Sequence, residues 1–460
     1  MPRKPNLLVI LIDDLRFDEF GAGGHPYMKT PNIDRIAREG GMFERAFHTT
    51  SICSPNRASI VTGQYAARHG IIDNVARDAA SFRLPNYHLE LQRLGYETAH
   101  IGKWHMGNSG KPRPGYHYWV AYDGHGRLNN PRLNINGKYE QRTGYVTDIM
   151  NEMAVDWLMK KHRKPWSLFF AHKAVHPDAE QAADGTFRMD GYVVAERHKN
   201  LYKGCVFPKK PNMLSYDEVI KSKPAWTEPF ELKKKLPESR ELLRAIHAGE
   251  QEEIRLRAAM MAAVDEGVGL IFEALEEKGE LDNTFILFLG DNGYFFGEHG
   301  LGPERRFPYE EGIRAPFIAR YPKRVKAGAR FDDLVICQDI APTLIELAGG
   351  KPGPQIQGRS LLPVLAGKRA GWRKSVLHEY WAENAYPWLV NMTYKAVRTD
   401  RYKYIRWVNR SLDGELDELY DLDKDPYELK NLNKSAAHKA LKTKLQRELK
   451  QLSVEALGLT

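Results

Sequence analysis

The chain has 460 residues, of which 42% are hydrophobic and 28% charged, with a formal net charge of +9. That length suggests one large domain with a smaller companion, or two to three units, in an ordinary globular composition. No apolar run approaches the roughly 18 residues of a membrane helix. Cationic residues are spread along the chain without an arginine-rich arm or zinc-finger spacing, which argues against nucleic acid and for a small anionic partner.

Leu7–Ile12 is a continuous apolar run ending in Asp13-Asp14, so it reads as a fully buried strand and not as a signal segment. As numbered, the chain therefore suggests a cytoplasmic protein, or a periplasmic or secreted one if a leader precedes it. Residues 31–40 read as a helix with proline in its first turn, and a second helix is expected at 56–63, after Pro55. Strands are expected at 97–101, 166–171 and 283–289. Between the last two, Ala258, Met261, Val264, Val268, Ile271 and Leu275 recur at three- and four-residue steps, which predicts a helix over 255–278.

Strands alternating with helices indicate an α/β fold, a mainly parallel sheet sandwiched by helices. The polar interval 178–250 reads as surface excursions around a site rim. Punctuation near 351–354 precedes a change to short strands at 394–399, 401–408 and 415–422, then a charged helix over 434–453. The expected division is a catalytic α/β domain, 1–370, and a small antiparallel α+β subdomain, 371–460. The three cysteines, Cys53, Cys205 and Cys337, are too few and too scattered for a disulfide framework or a zinc pair.

Cys53 stands in Cys53-Ser54-Pro55-Asn56-Arg57, with Thr62-Gly63 following. Pro55 favours a helix start, which would turn helix N–H groups toward an anion, with Arg57 as a fixed cation on the first turn. Here the chain resembles the sulfatase family, whose signature is Cys-x-Pro-x-Arg followed by Thr-Gly. The resemblance implies an alkaline-phosphatase-like fold and a Cys53 oxidised to formylglycine by a formylglycine-generating enzyme. The aldehyde hydrate then offers two hydroxyls on one carbon: one attacks sulfur, and the other expels sulfate as the aldehyde re-forms. A serine would be trapped as a stable sulfate ester.

Asp13-Asp14 ends the first strand, at the sheet edge where open α/β folds bind ligands. By itself the pair also fits a solvated turn. Asp291-Asn292 follows a second apolar strand in Leu289-Gly290-Asp291-Asn292-Gly293. The resemblance assigns Asp13, Asp14, Asp291, Asn292 and the residue at 53 to one divalent cation. Oxygen ligands suit a hard ion, Ca2+ before Mg2+.

Gly102-Lys103-Trp104-His105 matches a further family block, implying that Lys103 holds sulfate oxygens and that His105 accepts a proton from the diol. In His172-Lys173-Ala174-Val175-His176-Pro177, His176 aligns as the general acid, with His172 as rival. Gly297-Glu298-His299-Gly300-Leu301 and Tyr309-Glu310-Glu311 are family-like, but the lysine common between them is replaced by Glu304-Arg305-Arg306. Arg305 takes that place. It can bind sulfate bidentately but cannot donate its proton. His172, Lys173 and His299 are candidate substrate contacts.

The aromatic and basic residues His117, Trp119, His125, Tyr380, Trp381, Tyr386 and Trp388 favour a sulfated carbohydrate substrate, while any one of them taken singly reads rather as core packing. A phosphonate or phosphate diester hydrolase of the same superfamily would usually show Asp-His at the late metal pair. A non-catalytic sulfated-glycan-binding protein would be expected to have lost Cys53, Arg57 or a metal ligand, and all are present.

Overall fold

The computed structural model describes residues 3–183, 187–223, 225, 251–383, 389, 392–408 and 414–459. Its centre is a run of parallel strands: β1 (Asn6–Ile12), β2 (Glu97–Gly102), β3 (Trp166–Ala171) and β4 (Thr284–Gly290). They lie in the order β4-β1-β3-β2 within a ten-stranded mixed sheet. Phe317–Arg320 pairs antiparallel outside β4, and Tyr118–Ala121 pairs parallel outside β2.

The unbroken apolar sequence of β1 follows from this place, because a central parallel strand is covered on both faces. Leu8, Ile10 and Ile12 face one side with Met261, Val264, Val268 and Ile271. Leu7, Val9 and Leu11 face the other with Ala58, Ile60, Val61 and Leu344. That alternation is the two-residue period of a strand.

The helix expected at 56–63 is α1 (Cys53–Thr62) and starts three residues earlier, so Cys53 lies in its first turn. Pro55 is tolerated there because the first N–H groups of a helix have no intrahelical acceptor. The helix expected at 255–278 is α2 (Gln251–Glu277), with all six periodic residues buried. A helix not expected from the sequence, Val146–Met159, packs against α2. Their approach is close at Gly267, where a Cβ would lie 2.0 Å from Asn151 Oδ1. Asn151 in turn donates from Nδ2 to the Ala263 carbonyl at 3.0 Å, which gives its buried NH2 group an acceptor.

Of the interval 178–250 only part is described. It includes a hairpin, Asp178–Gln181 with Phe187–Gly191. The C-terminal strands form a four-stranded antiparallel sheet in the order Ser375–Tyr380, Tyr394–Thr399, Tyr402–Trp407, Glu418–Asp421. The final helix runs Lys439–Leu457, starting later than expected because residues 436–438 form a separate 3-10 turn. Its Leu445 and Leu449 pack on Leu377, Val397, Tyr404 and Leu419. Among the described residues no helix is long and apolar enough to cross a membrane.

Candidate active site

Strand register explains where the site lies. Ile12 pairs with Gly290, and Ala171 pairs with both Leu11 and Gly102, so four strands end at one level. The residues immediately beyond them are Asp13-Asp14, Lys103, His172-Lys173 and Asp291-Asn292. Backbone hydrogen bonds tie these ends together: Asp13 N–H to Ala174 O at 2.9 Å, Lys103 N–H to Ala171 O at 2.8 Å, and Asp291 N–H to Ile12 O at 3.0 Å. Helix α1 brings Cys53 and Arg57 to the same edge.

Asp13, Asp14, Asp291 and Cys53 converge, their potential ligand atoms all within 4.8 Å of one another. Cys53 Sγ is 3.9 Å from Asp14 Oδ1. All four residues are buried, and burial pushes the Asp13 carboxyl up, against the pull of Lys103 and Arg57. Burial likewise pushes the Cys53 thiol well up.

Three cations answer the three carboxylates. Arg57 Nε donates to Asp291 Oδ2 at 2.7 Å, Arg305 Nη1 to Asp14 Oδ2 at 3.0 Å, and the Lys103 ammonium to Asp13 Oδ2. Arg57 Nη1 also donates to the Lys103 carbonyl at 2.5 Å, locking α1 onto the β2 loop. Burial opposes the charge on both arginines, but Asp291 and Asp14 hold their guanidiniums firmly protonated.

The donor set fits a hard cation. Asp13 Oδ1 and Asn292 Oδ1 are buried oxygens that accept no hydrogen bond among the described residues, although an Arg57 nitrogen is 3.6 Å from the former. Asn292 Nδ2 donates to Asp14 Oδ1 at 2.8 Å, which fixes the amide beside the carboxylates. Oxygens placed this way are the ligands a divalent cation needs.

Beside the acids lies a group of imidazoles. His105 Nε2 is 2.6 Å from Gln181 Oε1 on the hairpin, and His176 Nε2 is 3.9 Å from Asp14 Oδ2. His125 lies between them, its ring 4.0 Å from that of His105 and 4.3 Å from that of His176. Burial, reinforced by Lys103, drives all three far below the ordinary histidine value, so they are neutral at pH 7. Burial lowers Lys173 to about 7, assisted by Lys103, and its ammonium donates to Pro177 O at 3.0 Å.

The structure separates the two histidines that the sequence left as rivals. His176 feels the charges of Lys103, Lys173 and Arg305, whereas His172 is lowered to about 3 by burial alone and its ring lies 4.3 Å from Phe170. His299 stacks on Tyr309 and contacts Asn212 and Glu311, in a second group with Glu428. Neither joins the acidic group. Of the aromatic candidates, Trp119 is core, its indole donating to Gly110 O at 2.8 Å, and Tyr380 is buried with its hydroxyl on Glu383. His117 is exposed and accepts from the Thr98 amide at 3.2 Å. Trp381 is half-buried, and Tyr386 and Trp388 lie outside the described residues.

Sequence reasoning missed a link from the C-terminal sheet to the nucleophile turn. Asn74 Oδ1 accepts from the Ser54 amide at 3.1 Å, the Asn74 amide reaches Glu383 at 3.4 Å, and Arg306 Nε donates to Glu383 Oε2 at 2.5 Å. Asn74 and Glu383 stand in loops and Gln181 ends the short hairpin strand Asp178–Gln181, where no periodicity marks them.

The family model described as "Sulfatase" matches residues 5–350. The chain belongs to the sulfatase family. This sulfatase is thus a sulfuric ester hydrolase of the alkaline phosphatase superfamily. A second model, "N-sulphoglucosamine sulphohydrolase, C-terminal", matches residues 297–455. An N-acetylglucosamine-6-O-sulfatase of Bacteroides thetaiotaomicron is 30% identical, over 98% of this chain and 86% of its own. An N-acetylglucosamine-6-sulfatase of Capra hircus is 28% identical, over 94% and 80%. A solved structure in complex with its substrate, D-glucosamine-2-N,6-O-disulfate, superposes with a TM-score of 0.82 at 28% identity, over 99% of this chain and 98% of that one. Family membership implies a metal and a formylglycine, and the acidic group at Cys53 has the residues for both.

Proposed function

We propose that this sulfatase removes sulfate from a sulfated carbohydrate, specifically a 6-O-sulfated glucosamine or N-acetylglucosamine residue. The reaction reading rests on one observation: Cys53, three carboxylates, Arg57, Lys103, Arg305 and a neutral His176 converge in a single buried basin. The sugar reading is supported by the relatives named for N-acetylglucosamine 6-sulfate and by the neighbour holding a sulfated glucosamine.

Asp13, Asp14, Asp291 and Asn292, with the residue at 53, would hold Ca2+, which would draw electron density from the sulfate ester. Cys53, as formylglycine, would supply the attacking hydroxyl. Arg57 keeps Asp291 in place and neutralises it. Lys103 and Arg305 face the sulfate oxygens. Arg305 Nε and Nη2 have no hydrogen-bond partner among the described residues, so a fork remains available for an oxyanion. His105 takes the proton of the attacking hydroxyl. His176, neutral at rest with its N–H on the Nδ1 that faces Pro177 O at 2.8 Å, takes up a proton on Nε2 when the anionic ester binds and gives it to the leaving sugar oxygen. Cys53 is wholly buried in the fold. A formylglycine-generating enzyme must therefore reach it before folding is complete.

The test is sulfate release by matured enzyme from N-acetylglucosamine 6-O-sulfate, its 3-O- and 4-O-sulfated isomers, and a phosphonate monoester. Release from the 6-O-sulfate well ahead of the isomers is expected. Hydrolysis of the phosphonate in preference to every sulfated sugar would overturn the reading.

A further inference from the structure

His125 belongs to none of the motifs around Cys53, Asp13, Asp291 or Trp104, yet it touches three of the groups assigned above. We propose that His125 is a positioning residue of the catalytic centre: its Nδ1 orients the Lys103 ammonium, and its ring is a wedge that holds His105 and His176 apart at their working separation. The proposal rests on the roles given to Lys103, His105 and His176.

The geometry is specific. Lys103 Nζ lies 3.1 Å from His125 Nδ1 and is also bonded to Asp13 Oδ2. An ammonium is only a donor, so His125 Nδ1 must be the acceptor and its proton resides on Nε2. With two of the three ammonium N–H groups committed, the direction of the third is fixed, and it is the one left for a sulfate oxygen. The ring separations of 4.0 Å and 4.3 Å make a three-ring stack, 1% exposed at its centre. The Asp13, His125 and His176 ligand atoms also come within 4.8 Å of one another, but Lys103 supplies the positive charge there.

The chain is built to place this ring. His125 stands between Gly124 at φ +53° and Gly126 at φ +66°, a left-handed pair that side chains rarely adopt. At Gly126 a Cβ would also lie 2.3 Å from the Tyr122 ring, so that the turn carrying His125 packs directly on the tyrosine.

Two variants separate the two roles. His125→Phe keeps a ring in the stack and removes the acceptor. KM for a sulfated sugar should rise about tenfold, the worth of one hydrogen bond to a charged group, with little change in kcat. His125→Asn keeps an acceptor near the Nδ1 position and removes the ring. Its kcat should fall roughly tenfold for a sugar sulfate, which needs acid assistance, and much less for an activated aryl sulfate. Metal content and melting temperature are measured alongside.

Wild-type kinetics within twofold for both variants on both substrates would overturn the proposal. So would an equal loss on both substrates with a parallel loss of metal or melting temperature, since that is what a purely structural role produces. His176→Ala is run in parallel. If it fails to discriminate between the substrates, the reading of His176 falls, and the proposal with it.

Discussion

Arg257, on helix α2, donates a 2.6 Å hydrogen bond from Nη2 to the backbone carbonyl of Asp14, whose φ is +59°. The guanidinium is gripped by Glu19 through bonds of 2.8 and 2.7 Å and lies 3.9 Å over the Tyr294 ring. A left-handed aspartate is thereby held by a buried ion pair from a helix outside the catalytic motifs. Arg257→Met should leave the Glu19 carboxylate buried without its ion-pair partner, with only the Arg16 amide still donating to it, costing about 3–5 kcal/mol. Urea unfolding checks the cost, and calorimetric metal titration should show weaker binding. Adding Glu19→Gln should recover part of the stability, because the uncompensated charge is then gone.

Metal dependence follows from the acidic group. Asp14→Ala should lose both bound metal and activity, because it removes a carboxylate that meets Cys53, Asn292 and Arg305 together. Elemental analysis checks the metal. Full activity after exhaustive chelation, with no metal remaining, would remove the cation from the mechanism.

Cys53 should be formylglycine in active protein. The peptide spanning it should then be about 18 Da lighter than its cysteine form by mass spectrometry, the difference between a thiol and an aldehyde at that carbon. Cys53→Ser should be inactive, or stall after one turnover with sulfate attached, because its ester has no second hydroxyl to expel the anion. Repeated turnover by the serine variant near the wild-type rate would exclude the mechanism.

His176→Ala should slow sugar sulfates far more than activated aryl sulfates, by roughly 10²–10⁴-fold on the former. A comparable discrimination in His172→Ala, and none in His176→Ala, would return the role to His172 and contradict its separation from the site cations.

Acid should destabilise the fold. His100, packed 4.5 Å from Trp119, and His378, bonded to the His48 carbonyl at 2.9 Å, are both lowered to about 3 by burial. Between pH 6.5 and 3 the unfolded chain takes up protons that the fold refuses, so their stabilisation is full above about pH 6.5 and is lost as pH falls. Glu379, raised by burial to about 7, and Asp265, raised to about 6, act in the opposite sense over that range. They are outnumbered by buried histidines, for His48 and His69 are also lowered to about 3. Chelated protein should therefore unfold at lower urea at pH 5 than at pH 7.5, and His100→Phe should narrow that difference.

Much of this protein is written locally. The apolar run of β1 and the helical period of α2 each follow from contiguous residues, and the chemistry lies just beyond the strands, at Asp13, Lys103 and Asp291. Cys53 and Arg57 are legible for the same reason, since four residues make one turn of α1. Other features depended on contacts the chain makes only when folded. Arg305 reaches Asp14 across 291 positions, Gln181 enters from a short hairpin strand, and Glu383 enters from a loop. His172 and His176 are four residues apart in a non-helical turn, and only its path sends one ring toward Phe170 and the other toward Asp14. His125, which the sequence offered only as one of several rings for a sugar, became central because the turn carrying it places its ring between two others. Sequence determined the strands and what stands at their ends, because burial and period act on neighbours. Tertiary structure decided which loop side chains meet there, because their directions are set by packing against residues far away in the chain.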